Sequence, residues 1–561
     1  MKEVCLFGAN ERSCYSVAKS LKKKGYSITV ISDDFHPIKF SRYVDKFLKL
    51  SFDITRNIFA AKEEVIQYLR LNKVDALIPI NDIAVQFISC FQQELRNYTR
   101  LLNINKEEVL KYSHNKYSLW KIAKELGIPV PVSKLVSSYS EFQELKYEIR
   151  FPVIVRPIYS KLIIDERILG FAVKRIENLK DLDNFVRERI NTTPLMLQEV
   201  LNGQGAGFNF LSNDGNILKA YAHERINEEW GGGQSTLRKS IPVNSFNLEF
   251  YSSKLIKEIK WTGIAMIEYK IHNNKPYLIE INGRPWGSME VGYRAGIDLP
   301  TEMVSEFLEE SQETCTNFNS GFKEVFVRNF YNEIKWVSRA KSFKKSILWL
   351  LGLRVHYRKN YFIEDSLFSD FPFRFSFIFN DIKLIFKNKF SSKRKAFSSL
   401  PLLGEINLKD IHSIAFICKG NINRSAFAAA YFKKYYGNRS IVKSYGTHND
   451  ILRMCPLNAI NAAREFGVDL TGHLSDVISP KKFYEIDKLI IMDEKNLEDL
   501  LKLNIKDKSK ICRMGKSAID DPYGKNIQEF RKCFLEIKIS IDNLYQKSSS
   551  LSISSNSVPI C

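Results

Sequence analysis

Hydrophobic and polar positions alternate along the first part of the chain in the pattern of strands followed by helices. "VCLFGAN" predicts a short apolar strand ending at Gly8, "SCYSVAKSLKKKG" a helix, and "YSITVIS" and "VDALIPIND" two more strands. Such alternation favours a parallel sheet. "GIAMIEYKI" and "KPYLIEING" then predict two strands, and the "HNN" between them is typical of a hairpin. We therefore predict an α/β multidomain protein that passes from a parallel sheet into an α+β region.

The pattern changes twice further along the chain. In "FPFRFSFIF" every second position from 371 to 379 is Phe, which predicts a strand with one Phe-rich face. From Ile411 onward the alternation of strand and helix resumes. The last residues, "SSSLSISSNSVPIC", are rich in Ser and are expected to be disordered.

Length and composition limit the classes of protein to consider. A chain of 561 residues is expected to form two to four domains. No apolar run approaches the ~20 residues that span a bilayer, and the first residues lack the apolar region of a signal peptide. The nine cysteines are scattered without a CxxC spacing, which argues against a disulfide framework and a structural zinc site. We expect a cytoplasmic protein.

The net charge of +21 is unevenly distributed. Residues 321–400 contain 17 Lys or Arg and only 6 Asp or Glu, an excess of 11 positive charges. The charges are dispersed, which favours a solvated basic face. The alternative is a surface that contacts a membrane, a polyanionic glycan or nucleic acid.

Two acidic residues lie on the predicted hairpin. Glu280 and Asn282 are two positions apart on one strand and so share a face, and Glu268 comes close to Glu280 if the hairpin closes near Asn273 and Asn274. Two carboxylates and an amide oxygen suit Mg²⁺ held between protein and phosphates. Arg284, which follows closely, is placed to contact a phosphate or a carboxylate.

A second group of residues surrounds Cys418. Five residues separate Cys418 from Arg424, but Cys90 and Arg96 have the same spacing in a stretch that predicts a buried helix residue, so spacing alone decides nothing. Cys418 differs because "SIAFI" precedes it as a strand, Gly420 and Asn421 tolerate the backbone of an anion nest, and a helix follows Ser425. A helix N-terminus favours an anion and a thiolate.

A thiolate that attacks phosphate needs an acid for the leaving group. Asp521 in "IDDPYGK" is the candidate. The predicted reaction is a double displacement in which Cys418 forms a phosphocysteine, Asp521 protonates the departing oxygen, Arg424 binds the phosphate, and water then hydrolyses the intermediate.

Residues 1–310 resemble the ATP-grasp superfamily, in particular its carbamoyl-phosphate-synthase-like branch. The resemblance is carried by "YLIEINGRPWGS", "GIAMIEYK", "NKYSLWKIAKELGIPVP", "FPVIVRP" and "LQEVLNGQGAG". It implies a Rossmann-like pre-ATP-grasp domain, an α+β ATP-grasp domain, and the activation of a carboxylate by ATP for attack by an amine or related nucleophile. It implies ATP contacts by Lys116, Arg156, Gln198, Glu199 and Leu201, and Mg²⁺, or alternatively Mn²⁺, at Glu268, Glu280 and Asn282.

The chain departs from this superfamily at two places. Arg156 stands where a second nucleotide-binding lysine is usual, and "IYSKLIIDERILG" has little glycine where a flexible phosphate-covering loop is usual, so that Lys161 is a candidate substitute. Arg225 and Arg238, near the glycines of "EWGGGQSTLRKS", are expected with Arg284 to contact the acceptor or its phosphate.

Residues of about 410–545 resemble the low-molecular-weight protein tyrosine phosphatases, which implies a doubly wound parallel sheet. "ICKGNINRS", "SYGTHN", "LTGHLSD", "LIIMDEKNLEDL" and "DDPY" carry the resemblance. It implies that Cys418, Arg424 and Asp521 are catalytic and that Tyr523 lines the slot for phosphotyrosine. The residues expected to support the loop are Gly420, Asn421, Ser425, Ser444 and His473. Asn423 replaces the second loop cysteine that is usual in this family, so no local protective disulfide is expected.

We predict five segments: a pre-ATP-grasp domain (1–110), an ATP-grasp domain (111–310), a basic aromatic extension and linker (311–400), a phosphatase domain (408–546) and a tail (547–561). The predicted function is a bifunctional ligase and phosphotyrosine phosphatase. The alternative is a phosphatase regulated by a nucleotide-binding module that does not ligate. The phosphatase half is expected to need no cofactor. Expected partners are a phosphotyrosine protein, a small carboxylate and a polysaccharide-pathway protein, but not nucleic acid.

Overall fold

The protein forms two compact units in the computed structural model. One comprises Met1–Leu135, Pro152–Arg175 and Met196–Leu384, and the other Val136–Phe151, Ile176–Leu195 and Ile385–Cys561. The structure describes residues 2–10, 12–164, 166–228, 235–308, 323–329, 332, 360–364, 370–376, 397–405, 411–436, 441–448, 451–503, 507, 509–515 and 517–553, with 545–553 described by backbone only. None of the helices in these ranges is long and apolar enough to cross a membrane. The domain limits proposed from the sequence stay predictions.

The first unit begins with a five-stranded parallel sheet of order β3-β2-β1-β4-β5. Its strands are β1 (Glu3–Phe7), β2 (Ser27–Ser32), β3 (Lys46–Lys49), β4 (Ala76–Pro79) and β5 (Arg100–Leu101), and the helices are α1 (Ser13–Lys23), α2 (Ile58–Leu71), α3 (Asp82–Cys90) and α4 (Gln92–Leu95). Alternate residues of β1 enter different cores, Val4 and Leu6 one and Cys5 and Phe7 the other. The sheet is therefore covered on both faces, as its apolar strands predict.

Within the described residues, the chain continues through seven α-helices and thirteen strands up to residue 363. The helices are α5 (Glu107–His114), α6 (Lys116–Glu125), α7 (Tyr139–Leu145), α8 (Leu179–Arg189), α9 (Leu248–Ile259), α10 (Met289–Ala295) and α11 (Leu299–Leu308). The strands are β6 (Ser133–Val136), β7 (Val153–Pro157), β8 (Lys161–Ile164), β9 (Arg167–Gly170), β10 (Lys174–Ile176), β11 (Leu195–Glu199), β12 (Gln204–Asn213), β13 (Asn216–Glu228), β14 (Ser235–Ile241), β15 (Gly263–His272), β16 (Lys275–Asn282), β17 (Phe326–Arg328) and β18 (Tyr361–Ile363).

Seven of these strands form the largest sheet of the first unit, in the order β16-β15-β12-β13-β14-β17-β18. The predicted hairpin is present, because β15 and β16 pair antiparallel and turn at Asn273 and Asn274, whose φ angles are +48° and +59°. Both residues take the left-handed conformation that Asn tolerates better than most residues. Strands β17 and β18 come from the basic segment and extend the sheet.

The prediction of a strand at 371–379 is wrong for its described part. Residues 371–376 are helical, while 377–379 lie outside the described residues. Pro372 fits the first turn of a helix. The alternation of Phe also places pairs one turn apart, and Phe371 stacks on Phe375 at 5.6 Å between ring centroids. Phe373 is buried and stacks on Tyr15 at 5.0 Å.

The second unit contains a four-stranded parallel sheet of order β20-β19-β21-β22. Its elements are β19 (Ser413–Cys418), α12 (Arg424–Tyr436), β20 (Ile441–Gly446), α13 (Leu457–Glu465), α14 (Pro480–Tyr484), β21 (Lys488–Ile491), α15 (Glu494–Leu501), β22 (Ile511–Arg513) and α16 (Ile527–Ile553). Ile414 and Phe416 enter one core while Ala415 and Ile417 enter another, so both faces of the sheet are covered. The predicted doubly wound fold is confirmed.

Candidate active sites

The loop around Cys418 lies where the sequence predicts it, between a strand end and a helix start. β19 ends at Cys418, α12 begins at Arg424, and the Cys418 side chain is buried. Cys90, by contrast, is the last residue of α3, as predicted, but the prediction that it is buried is wrong because it is exposed. Only Cys418 therefore combines its spacing to arginine with an anion-binding backbone.

Asn421 gives the loop its shape. Its φ is +53°, whereas Gly420 does not take a positive φ, so the left-handed residue of the nest is the asparagine. The Asn421 N–H donates to Cys418 Sγ at 3.3 Å, and Ser425 Oγ lies 3.0 Å from the same sulfur. Among the described residues, the N–H groups of Gly420 and of 422–424 donate to no backbone or side-chain acceptor. These donors suit an anion in front of the sulfur.

The Asn421 side chain and carbonyl are held by residues outside the loop. Its Nδ2 donates to Ser425 Oγ at 2.9 Å, its Oδ1 accepts from the Asp476 N–H at 2.9 Å, and its carbonyl accepts from His473 Nε2 at 2.7 Å. Burial lowers the pKa of His473, which keeps the imidazole neutral and leaves Nε2–H as the donor. The structure thus brings Asn421, Ser425 and His473 together.

The neighbouring strand β20 contributes a glycine that sequence reasoning missed. A Cβ on Gly446 would lie 2.9 Å from the Lys419 carbonyl oxygen and 3.4 Å from Asn421 N. Only a residue without a side chain fits against the loop there. Ser444, predicted as a supporting residue, lies opposite Phe416 in β20, and among the described residues its side chain makes no hydrogen bond to the loop.

Arg424 joins the loop to two carboxylates. It donates through Nη1 to Asp493 Oδ2 at 2.5 Å and through Nη2 to Asp521 Oδ2 at 2.9 Å. Burial alone would lower the pKa of the guanidinium, but the charges of Cys418, Asp521 and Asp493 raise it overall. Asp493 was not predicted; it caps α15, accepting from Asn496 N–H at 2.8 Å.

Asp521 and Tyr523 lie together on the acid loop. The Tyr523 N–H donates to Asp521 Oδ1 at 3.2 Å, and Asn423 Nδ2 donates to the same oxygen at 3.4 Å. The Tyr523 side chain is 49% exposed, as expected of a slot wall, yet its hydroxyl donates to Glu188 Oε1 at 2.6 Å. Sequence reasoning missed Glu188, which lies on α8.

The second candidate site is a charged face of the seven-stranded sheet. Glu268 pairs directly with Glu280 across β15 and β16, as the hairpin predicts. Each carboxylate also contacts an arginine, Arg225 at 2.7 Å from Glu268 and Arg156 at 3.0 Å from Glu280. The sequence predicted these four residues but not the ion pairs between the arginines and the carboxylates.

A cavity of about 580 Å³ lies against this face. The predicted residues that line it are Arg156, Gln198, Glu199, Leu201, Arg225, Glu268 and Glu280. Lys116, Asn282 and Arg284 line a neighbouring cavity of about 80 Å³, and Glu280 borders both. Burial lowers the pKa of Lys116 to about 8 although Glu280 opposes the shift. The predicted ATP contacts therefore converge on Glu280 from two sides.

Glycines of "NGQGAG" make room for the charged side chains above β12. A Cβ on Gly205 would lie 2.1 Å from Glu228 Oε1, and one on Gly207 would lie 2.5 Å from His223 Cε1. A side chain at Gly207 would displace the buried His223 ring, whereas one at Gly205 would have to move the flexible ends of Glu228 and Arg225.

All three predicted acceptor arginines are engaged in ion pairs, Arg225 with Glu268 as described above. Arg284 donates to both carboxylate oxygens of Asp82, at 3.0 and 3.3 Å. Arg238 is buried and lies 3.1 Å from Glu364, which Arg12 also contacts at 3.1 Å, and Arg238 does not line either cavity. The two arginines lower the pKa of Glu364 to about 2 against the effect of burial.

The chemistry of Glu268, Glu280 and Asn282 fits a hard cation. Burial raises the pKa of the Glu268 carboxyl despite Arg225, whereas for Glu280 the charges of Arg156 and Lys116 outweigh burial and lower it. All three residues offer oxygen donors, which Mg²⁺ prefers. Within the described residues no three His, Cys, Asp or Glu side chains converge; the predicted set has two carboxylates and an amide.

The loop geometry defines the class of cysteine-dependent phosphatases, with a thiol at a strand end, an anion nest and an arginine bound to an acid loop. Residues 413–552 match the family model of the low molecular weight phosphotyrosine protein phosphatases. That enzyme of Saccharomyces cerevisiae is 32% identical over 142 residues, covering 22% of this chain and 88% of the relative. Through this domain the chain belongs to the low-molecular-weight phosphotyrosine protein phosphatase family.

Residues 191–329 match the model described as ATP-grasp in the biosynthetic pathway with Ter operon. The C-terminal section of the carbamoyl phosphate synthase large chain of Aquifex aeolicus is 24% identical over 213 residues, covering 35% of this chain and 38% of that section. Biotin carboxylase of Campylobacter jejuni aligns with a TM-score of 0.45 at 17% identity, covering 58% and 74% of the two chains. The chain spans about two fifths of the first curated relatives it matches. It carries an ATP-grasp, ligase-like domain besides the phosphatase domain, and both are enzyme domains.

Proposed function

We propose that the chain is a bifunctional enzyme, a phosphotyrosine-protein phosphatase joined to an ATP- and Mg²⁺-dependent carboxylate ligase. The observation that carries the phosphatase half is that Asp521 of the acid loop meets the loop that contains Cys418, Asn421, Arg424 and Ser425. The domain limits proposed above assign this half to 408–546.

In the proposed reaction the Cys418 thiolate attacks phosphorus and the bond to the tyrosyl oxygen breaks. Asp521 donates a proton to that oxygen, and Arg424 and the loop N–H groups hold the phosphoryl oxygens. Asp521 then takes a proton from water, which attacks the phosphocysteine and releases inorganic phosphate. Ser425, 3.0 Å from the sulfur, stabilises the thiolate before attack and as it leaves.

The test is hydrolysis of p-nitrophenyl phosphate and of a phosphotyrosine peptide by the full chain. Cys418→Ser should abolish turnover, by on the order of 1,000-fold or more, because the nucleophile is lost. Cys90→Ser is the matched control, since Cys90 has the same spacing to an arginine, and should retain full activity. Turnover that persists in Cys418→Ser would refute the proposed phosphatase.

For the ligase half, the cavity beside Glu280 supports a nucleotide site. Gln198, Glu199 and Leu201 would contact the base, and Arg156 and Lys116 the phosphates, since they approach Glu280 from two sides. Glu268, Glu280 and Asn282 would hold Mg²⁺, which when bound neutralises phosphate charge. The proposed substrates are a small carboxylate and an amine or related nucleophile, sought by measuring ADP release from a panel of acids and amines.

One observation favours the alternative, a nucleotide-binding module that regulates the phosphatase without ligation. Arg156, Arg225 and Arg284 each pair with a carboxylate, so three of the cations available for a phosphate or an acceptor are already neutralised. Nucleotide binding that alters phosphatase activity, with no acid accelerating ADP release, would support this function. A ligated product would exclude it.

Three further proposals concern the protein partner, the cellular location and membrane contact. A phosphotyrosine protein of a cell-surface polysaccharide pathway is the proposed partner, and the cytoplasm the proposed location. The basic segment 321–400 is proposed to contact anionic membrane surfaces. A vesicle-binding assay with anionic lipids, with and without that segment, tests the last of these.

A further inference from the structure

Glu188 contacts Tyr523 of the acid loop but lies outside the residues that match the phosphatase family. Its Oε1 accepts the Tyr523 hydroxyl at 2.6 Å, and its Oε2 lies 3.2 Å from Arg453 Nη2. The Glu188 side chain is 9% exposed, and the Arg453 guanidinium lies 5.7 Å from the centre of the Tyr523 ring. One carboxylate thus fixes two residues beside the slot.

Arg453 lies beside the phosphate-binding loop. Its Nη1 lies 3.5 Å from the position that a Cβ on Gly420 would occupy, and the residue is buried. Burial and the Glu188 charge raise the pKa of Tyr523, which keeps its hydroxyl protonated as the donor to Glu188.

Helix α8 is attached to this rim by bonds other than that of Glu188. The Met454 N–H donates to the Arg187 carbonyl at 3.0 Å, the Leu457 N–H donates to Asn184 Oδ1 at 3.3 Å, and Thr192 Oγ1 donates to the Ile451 carbonyl at 2.9 Å. These bonds hold the helix but do not touch Tyr523. The attachment of α8 and the fixing of Tyr523 can therefore be separated by mutation.

We propose that Glu188 is a positioning residue that determines the specificity of the phosphatase for aryl phosphates. It acts through Tyr523, whose ring it holds as a fixed wall of the slot. The inference rests on the proposed phosphatase function and adds a residue from α8 to that site. A fixed wall favours a flat aromatic leaving group, because less side-chain freedom is lost when the substrate binds.

Steady-state hydrolysis by the full chain tests this inference. Glu188→Ala should raise KM for p-nitrophenyl phosphate about 5- to 10-fold, the size expected for the net contribution of one hydrogen bond. Because the aryl group departs before the phosphocysteine is hydrolysed, kcat should change less than about twofold if that hydrolysis limits turnover. The inhibition constant of inorganic phosphate, which has no aryl group for Tyr523 to contact, should be unchanged.

Three further variants separate positioning from attachment. Tyr523→Phe removes the same hydrogen bond and should raise KM to a similar extent, with no further increase in the double variant. Glu188→Gln keeps an acceptor for the hydroxyl and should raise KM less than Glu188→Ala. Asn184→Ala, the matched control, removes a bond that attaches α8 and should leave KM unchanged.

The outcomes distinguish this inference from the proposed function. If hydrolysis depends on Cys418 and neither Glu188→Ala nor Tyr523→Phe changes KM, the inference is wrong and the phosphatase stands. An equal rise in KM in Asn184→Ala, or an equal change in the inhibition constant of phosphate, would also overturn it. If the chain shows no Cys418-dependent hydrolysis, the proposed function fails and the inference fails with it. If Glu188→Ala does not fold, the KM values of Glu188→Gln and Tyr523→Phe for p-nitrophenyl phosphate test the inference instead.

Discussion

The two candidate sites of this chain use the same partners, arginines and carboxylates, but differ in how the chain assembles them. In the phosphatase site the thiol, the nest and the arginine lie within eight consecutive residues, 418–425, and only the acid loop is distant. At the second site, Arg225, Glu268 and Glu280 come from three strands of the seven-stranded sheet, and Arg156 comes from β7, which belongs to another sheet. A local site keeps its geometry from one strand–loop–helix connection, whereas a dispersed site depends on the register of a whole sheet.

The arginines also differ in what they do for their carboxylates. Arg424 contacts Asp521 and Asp493 at once and connects an acid loop to an anion nest. Arg156 and Arg225 each neutralise one carboxylate that is also a predicted metal ligand. In the phosphatase site the arginine therefore lies beside donors that can bind a phosphate. At the second site a phosphate or a cation must compete with an existing ion pair.

The largest difference between the two sites is expected from a change at Asp521. Asp521→Asn should lower kcat/KM about 100-fold or more for aryl phosphates with poor leaving groups, because the proton donor is lost. The loss should be smaller for p-nitrophenyl phosphate, whose leaving group needs less protonation. A series of substituted phenyl phosphates measures this dependence.

Asp493→Asn is the matched control for Asp521→Asn. It also removes a carboxylate from Arg424, but Asp493 caps α15 and has no predicted role as an acid. Its effect should therefore be the same for all leaving groups. A similar leaving-group dependence in both variants would show that the two carboxylates act only by holding Arg424.

An intermediate effect is expected on the sheet face. Glu280→Gln should weaken ATP binding in the presence of Mg²⁺ about 10-fold, because one anionic oxygen donor is lost. Without Mg²⁺, ATP should bind more tightly than to the native protein, because Arg156 no longer pairs with a carboxylate. Calorimetry with Mg·ATP, and with ATP and a chelator, measures both changes.

Glu228→Gln provides the control for Glu280→Gln. Glu228 lines the same cavity and pairs with Lys270 at 2.6 Å, but it is not a predicted metal ligand. It should leave the Mg²⁺ dependence of ATP binding unchanged. Equal effects of the two variants would mean that general negative charge, rather than a metal site at Glu280, governs nucleotide binding.

The difference between contiguous and dispersed residues also explains which features the sequence could predict. The strand, nest and helix around Cys418 are contiguous, and the hairpin that joins Glu268 to Glu280 is short, so both were predicted correctly. Gly446 and Glu188 were missed because their roles arise from close approach and docking between distant segments. The strand predicted over the Phe-rich segment failed because period two also places Phe residues one helical turn apart.

The smallest effect is expected for His473, whose ring donates to the Asn421 carbonyl. Burial lowers its pKa in the folded protein below the value of about 6.5 for an exposed histidine. As the pH falls below about 6.5, the unfolded chain therefore takes up a proton first. The contribution of neutral His473 to the free energy of unfolding is therefore complete above about pH 6.5. It is lost progressively as the pH falls toward the lower pKa of His473 in the folded state.

In His473→Gln the stability should decrease less as the pH falls, because the amide can still donate to the Asn421 carbonyl but does not titrate. At pH 7.5 the variant and the native protein should differ by less than about 1 kcal/mol, since the hydrogen bond is retained. Thermal unfolding of the full chain between pH 5 and 8 measures the difference, with the exposed His412→Gln as the control. If the stability of His473→Gln follows the native pH profile, the titration of His473 does not govern the stability of the loop. The phosphatase loop would then depend less on the hydrogen bond from His473 to the Asn421 carbonyl than its geometry indicates.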